Sequence, residues 1–120
     1  MRFPEASLRL VQSDTPANVI TYPSAFTIPT GKAHWSALLR ARAIETQSFV
    51  IAAAQVGQHN EKRASYGHSM VVSPWGEVLV ELSGEWGGPE IGIVDLDPEL
   101  VVNARRQVPL SRRWDVYGRC

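Results

Sequence analysis

The side chains best able to do chemistry in this chain are one cysteine, three histidines, a few serines and a run of arginines. Their spacing serves catalysis poorly. Cys120 is the sole thiol and the final residue. Chain ends fray, and no base or helix N-terminus adjoins it to favour a thiolate, so it reads as an ordinary exposed thiol. His34, His59 and His68 have no close metal-ligand spacing and no accompanying Cys/His pair, so no metal site is expected. His34 lies on a long helix and is expected to bond a backbone group or a carboxylate. His59 falls in a polar stretch with no assigned role, and His68, beside Ser69 at the head of a strand, is expected to make a structural hydrogen bond. Gly67-His68-Ser69 lacks the second glycine of a nucleophile elbow and precedes a strand, which argues against an acyl-enzyme serine. No glycine-rich phosphate loop occurs. Arg105, Arg106, Arg112, Arg113 and Arg119 form a basic tail that reads as solvated or salt-bridged.

These residues sit in a chain of 120 residues, enough for one domain with a real core. Twelve Lys+Arg balance twelve Asp+Glu. That neutrality argues against a dedicated nucleic-acid binder, which carries a basic field. The longest apolar run, Phe49 to Ala54, is far short of the roughly 20 residues that span a bilayer, so no membrane is expected as a partner. The opening Met1-Arg2-Phe3-Pro4-Glu5 has no apolar core behind its charge and does not read as a signal peptide. A lone cysteine forms no internal disulfide, which points to a reducing compartment and a cytoplasmic protein.

Positioning falls to a mixed set of elements. Pro4-Glu5 opens a short helix carrying Leu8, Leu10 and Val11, and Ser13 to Pro16 ends it. Asn18 to Tyr22 reads as a strand, and Pro23 to Gly31 as a loop. Lys32 to about Gln47 reads as a helix buried on a wide arc, with Trp35, Leu38 and Leu39 on one side and Ala37, Ala41 and Ile44 on another. Arg42 and Glu45 are spaced to pair on its surface. Phe49 to Gln55 is apolar throughout, as in a strand covered on both faces. Gly57 to Tyr66 is polar and expected to be a solvated loop. His68–Ser73 and Glu77–Leu82 read as strands joined by Pro74-Trp75-Gly76, and Ile91–Leu96 as a further strand. Asp97-Pro98-Glu99 carries the marks of a helix start. The class is α/β with a mixed sheet, and the residues alone show no catalytic set.

Taken together, several stretches resemble the carbon–nitrogen hydrolases of the nitrilase superfamily, specifically the Nit-type amidases. Met1-Arg2-Phe3-Pro4-Glu5 resembles the segment after that family's cysteine nucleophile, written C-Y-D-x-R-F-P-E. Thr21 to Thr27 resembles its strand end and pocket loop. His34-Trp35 and Arg42-Ala43-Ile44-Glu45-Thr46-Gln47 resemble its long helix. Ala52-Ala53-Ala54-Gln55-x-Gly57, Tyr66-Gly67-His68-Ser69, Pro74-Trp75-Gly76 and Asp115-Val116-Tyr117-Gly118 follow in the family's order.

The resemblance implies the C-terminal half of a four-layer α-β-β-α sandwich, residues 1–120 forming a partial domain that lacks its N-terminal half. It implies a cysteine that attacks an amide carbonyl to give a thioester, helped by a glutamate base and a lysine. No cofactor or metal is implied. The substrate class is small linear amides, including deaminated glutathione and short ω-amides, and a homo-oligomer is implied. The Glu, Lys and Cys are expected upstream of Met1, so this chain carries no catalytic residue and is expected to be inactive alone. Ser24, Ala25, Phe26 and Thr27 are the substrate-binding residues that the resemblance carries over. Ser73 stands where an Asp often precedes Pro-Trp-Gly, a change expected at a turn cap. The alternative is a non-catalytic dimerisation or regulatory module that pairs with a full-length homologue.

Overall fold

The computed structural model describes residues 1–111, 113, 115 and 116. The order is α1 (Glu5–Val11), β1 (Val19–Thr21), α2 (Ile28–Thr46), β2 (Phe49–Ala52), β3 (Val56–Asn60), β4 (Arg63–Tyr66), β5 (Met70–Val72), β6 (Val78–Glu81) and α3 (Pro98–Gln107). Four strands form a mixed sheet ordered β1-β2-β5-β6, and β3 and β4 form a separate hairpin. β1 and β2 are parallel, so the chain must cross over between them, and α2 makes that crossover. β5 runs antiparallel to both β2 and β6.

The sheet and α2 meet through a stripe at four-residue spacing. Trp35, Leu39 and Ala43 pack on Val50 and Ala52 of β2 and on Met70 and Val72 of β5. Strand alternation turns the intervening residues to the other side. There Thr21 is opposite Ile51, Ile51 opposite Val71, and Val71 opposite Val80. These four are part or fully exposed. One helical layer on one sheet, with an apolar row on the far face, matches half of a four-layer α-β-β-α sandwich.

Several expectations need correction. The helix starts at Ile28, not near Lys32, because Pro29 in its first turn is a helix starter and not a loop mark. Its buried arc is narrow: Ile44 is 49% exposed and Ala37 is exposed, since only one sheet face touches it. Arg42 does pair with Glu45, but its side chain is only 5% exposed, so the pair is not a surface one. The stretch from Gly57 to Tyr66 lies in the β3–β4 hairpin; its strands pair backbone groups with each other while residues 58–63 face water and Ser65 is buried. Ile91–Leu96 is not a strand. Ile91 and Ile93 are 85% and 88% exposed, and the stretch pairs with no strand, so its backbone lacks the ladder a strand requires.

Other local readings hold. Asp97 caps α3 by accepting from the Glu99 N–H at 2.9 Å. The Ser73 hydroxyl accepts from the Trp75 and Glu77 N–H groups, both at 3.2 Å, and so serves as the turn cap. α2 ends on Gln47 at φ 49, an unusual conformation for glutamine. Its buried side chain holds it there, Nε2 donating to the Ala104 and Val108 carbonyls at 3.2 and 2.7 Å. Among the described residues no helix is long and apolar enough to cross a membrane.

One close approach fixes how the hairpin sits on α2. A Cβ on buried Gly31 would lie 2.1 Å from Tyr66 Cγ. Gly31→Ala gains about 1 kcal/mol of helix propensity, but overpacking against an aromatic ring costs roughly 1–3 kcal/mol. The variant should therefore be less stable than the parent in urea unfolding. A more stable Ala variant would show that Tyr66 moves freely.

Candidate functional site

The loop after β1 is tied down on its backbone, and Phe26 packs partly buried against the core. Beyond the strand, the Ser24 N–H donates to the Ala53 carbonyl at 2.9 Å and the Gln55 N–H to the Ser24 carbonyl at 3.0 Å. The Phe26 carbonyl then accepts from the Tyr66 N–H at 2.9 Å, and Thr27 bridges to Ser65. The loop thus extends parallel pairing past β1 and hands over to the hairpin. Ser24 is half-buried and its hydroxyl donates to the Tyr22 carbonyl at 3.1 Å. Ala25 and Thr27 are exposed, and the Thr27 hydroxyl meets that of Thr30 at 2.8 Å.

Phe26 links this loop to the start of the chain. Its ring stands edge-on to Trp35, with centroids 5.1 Å apart at 64°. The Arg2 guanidinium lies 5.2 Å from its centroid on the ring face, a cation–π arrangement. Arg2 Nη1 also donates to His34 Nδ1 at 3.0 Å. A guanidinium can only donate, so Nδ1 is the acceptor nitrogen of that ring. One residue earlier, Arg42 Nε donates to the Met1 carbonyl at 3.0 Å. Ser7 of α1 and Tyr22 at the end of β1 bond through their hydroxyls. Residues 1, 2 and 7 are therefore held by α2 and by the β1 end, beside the Phe26 loop.

A second group flanks this one across Trp35. His68 has φ 59. Its ring stacks on Tyr66 at 4.2 Å, and its Nδ1–H donates to Glu81 Oε1 at 2.9 Å. Its carbonyl accepts from Trp35 Nε1–H at 2.7 Å. The expected structural hydrogen bond of His68 is thus present, although the strand begins at Met70.

The remaining candidates are placed as follows. His34 bonds a guanidinium, not the backbone or carboxylate expected of it, because Arg2 comes down onto the same helix face. His59 is not idle: it lies on β3 and bonds the hydroxyl of buried Ser65 at 2.7 Å. The Ser69 hydroxyl accepts from the Ala54 N–H at 2.9 Å and is engaged in backbone structure. Arg105 donates to the Ala17 carbonyl at 2.8 Å and to Asn18 Oδ1 at 3.1 Å, and partial burial lowers its pKa from the ordinary value. The Arg113 guanidinium, bonded to both Asp115 oxygens, holds that carboxyl below the usual carboxylate range. Arg112, Arg119 and Cys120 lie outside the described residues, as do Tyr117 and Gly118 of the closing segment.

Among the described residues the buried Ser65 hydroxyl lies beside the His59 imidazole on the paired hairpin strands, and no group of three or more His, Cys, Asp or Glu side chains could hold a metal. The loop beside the chain start offers groups suited to binding. It presents an aromatic edge, small side chains, and an exposed guanidinium whose planar fork suits a carboxylate. Arg2 and Arg42 were not singled out from the sequence as site residues. The R-F-P-E run could have flagged the first, and a cation inside the helical repeat at the buried-stripe edge the second.

Known proteins resemble this chain over nearly its whole length. The sequence model of the carbon-nitrogen hydrolases matches residues 1–106. The bovine deaminated glutathione amidase is 56% identical over 120 residues, covering 98% of this chain and 35% of the bovine protein. The crystal structure of the C. elegans NitFhit protein superposes with a TM-score of 0.84 at 48% identity, covering 97% of this chain and 27% of that one. More distant, at a TM-score of 0.60 and 25% identity, is a mutant of the Nesterenkonia sp. AN1 amidase; 95% of this chain and 38% of that one are covered. That mutant carries the acetamide moiety of fluoroacetamide covalently at its active site cysteine. The chain spans about a third of the length of the curated relatives it matches.

The bond from Trp35 to His68 joins the two groups through a side chain only 1% exposed. Trp35→Phe removes the donor, strands a carbonyl and leaves a small void, at a cost of about 2–4 kcal/mol. Chemical denaturation should register that loss. A change below about 1 kcal/mol would mean that the carbonyl finds water instead.

Proposed function

Because this chain belongs to the carbon-nitrogen hydrolase family, we propose that it is the substrate-loop side of an amidase that cleaves the C–N bond of small linear amides such as deaminated glutathione or short ω-amides. The observation that carries this reading is the Phe26 loop, held on its backbone while Arg2 and Phe26 present a cation and an aromatic face beside it. Deaminated glutathione is an amide with carboxylates, the chemistry that an exposed guanidinium recognises. The bovine relative, named for that amide, supports the substrate class. The cysteine adduct in the Nesterenkonia amidase supports covalent catalysis by a thiol.

In the proposed reaction a cysteine upstream of Met1 gives its proton to a glutamate as its sulfur attacks the amide carbon. A lysine stabilises the oxyanion. The C–N bond breaks, the nitrogen leaves with the proton, and water hydrolyses the thioester to a carboxylic acid, returning the thiol. None of these three groups belongs to this chain. Its own contribution is binding by Ser24, Ala25, Phe26, Thr27 and Arg2, without a cofactor. A cytoplasmic homo-oligomer is the proposed setting.

One observation favours a second reading, a module that pairs with a full-length homologue. Ile44, Trp75, Val108 and Leu110 line an apolar groove of about 890 Å³ where α2, the β5–β6 turn and the segment after α3 meet. Co-expression with a full-length amidase separates the readings, since a module should change that enzyme's activity.

The chain alone should show no turnover of deaminated glutathione. Joined behind the upstream portion of the bovine relative, it should hydrolyse that amide. In the joined protein, Phe26→Ala should raise KM about three- to tenfold, the value of one aromatic contact of roughly 0.5–1.5 kcal/mol. An inactive joined protein that is folded counts against the amidase reading. Lost folding with unchanged KM in the remaining active fraction would make Phe26 a packing residue only.

A further inference from the structure

Arg42 stands out because burying a cation is costly and nothing in the sheet requires it. It lies on α2 at 4% exposure, next to the core residue Ala43. A guanidinium removed from water is tolerated only where its donors are paired. Nη1 is paired with Glu45 Oε2 at 2.5 Å, and Glu45 itself is 43% exposed. An ion pair of that kind would form as readily with Arg42 on the surface. The donor that needs the buried position is Nε, which reaches the Met1 carbonyl at 3.0 Å.

That acceptor has a particular place in the chain. Residues 1–4 belong to no helix or strand, so the Met1 carbonyl has no ladder to join. Nearby, His34 and Phe26 hold Arg2 by its side chain. Arg42 holds the main chain itself. α2 is in turn fixed to the sheet by the core stripe. The path from the sheet to the Met1 backbone therefore runs through one helix and one side chain.

We propose that Arg42, clamped by Glu45, is a positioning residue that fixes the backbone running from the upstream nucleophile into α1 by holding the Met1 carbonyl. The inference rests on the amidase reading, in which the cysteine falls a few residues before Met1. Misplacing a nucleophile by about 1 Å can cost on the order of 100-fold in rate while leaving binding groups in place.

The test uses the joined protein and the chain as it stands. Arg42→Met keeps the volume and removes every donor; Arg42→Lys restores one charged donor for the single acceptor. Arg42→Met should lower kcat about 10- to 100-fold with KM within about threefold of the parent. It should slow alkylation of the active cysteine by iodoacetamide, and Arg42→Lys should recover part of both. In the chain alone, Arg42→Met should speed hydrogen exchange at the amides of residues 2–8 ahead of those in β2 and β5. Parent-like kcat and alkylation in a folded Arg42→Met protein would overturn the proposal. So would exchange that rises evenly over the whole chain, or a Lys variant as slow as the Met variant with parent-like stability. If the unsubstituted joined protein is folded yet inactive, the amidase reading fails first and this proposal falls with it.

Discussion

The structure depends on one contact surface: the stripe of Trp35, Leu39 and Ala43 laid on Val50, Ala52, Met70 and Val72. Burying each large side chain is worth about 1.5–3 kcal/mol, and this stripe is where the chain concentrates that gain. α2 needs the sheet to cover its apolar side, and the parallel pairing of β1 with β2 needs α2 as its crossover. The loop from Ser24 to Thr27 lies between these partners. Its position follows from the sheet edge on one side and the helix start on the other. The anchors on residues 1 and 2 follow as well, since His34 and Arg42 ride on the same helix.

Cations are used in three different ways around that surface. Arg2 stays exposed, lying over Phe26 and bonding His34. Arg42 is buried and spends its donors on Glu45 and a backbone carbonyl. Arg105 ties α3 to the segment before β1 through Ala17 and Asn18. A formal charge of zero therefore conceals a division between one exposed cation and two that tie elements together. Read by composition alone, these residues are equivalent; the distinction comes from where each stands in the chain and what lies beside it.

Much of the fold was legible because its signals are local. The Pro4-Glu5 and Asp97-Pro98-Glu99 helix starts, the apolar run at Phe49 and the Pro74-Trp75-Gly76 turn all act within a few residues. The β3–β4 hairpin was not, because its polar strands carry no hydrophobic alternation. Ile91–Leu96 failed for the opposite reason: it has the alternation but no neighbour to pair with. The loop from Ser24 through Thr27 was singled out by family resemblance alone. The contacts of Arg2 with His34 and of Arg42 with Met1 span 32 and 41 positions. No local pattern encodes bonds of that range.

The central claim is that this chain is one side of a two-layer β structure, with α2 covering one face of its sheet and the row Ile51, Val71 and Val80 left for another layer. Sedimentation velocity of the isolated chain with a hydrophobic dye present tests it most directly. Self-association, or dye bound to the folded protein, is expected, because an apolar sheet face seeks cover. A monodisperse monomer that binds no dye and melts in one sharp transition would contradict it.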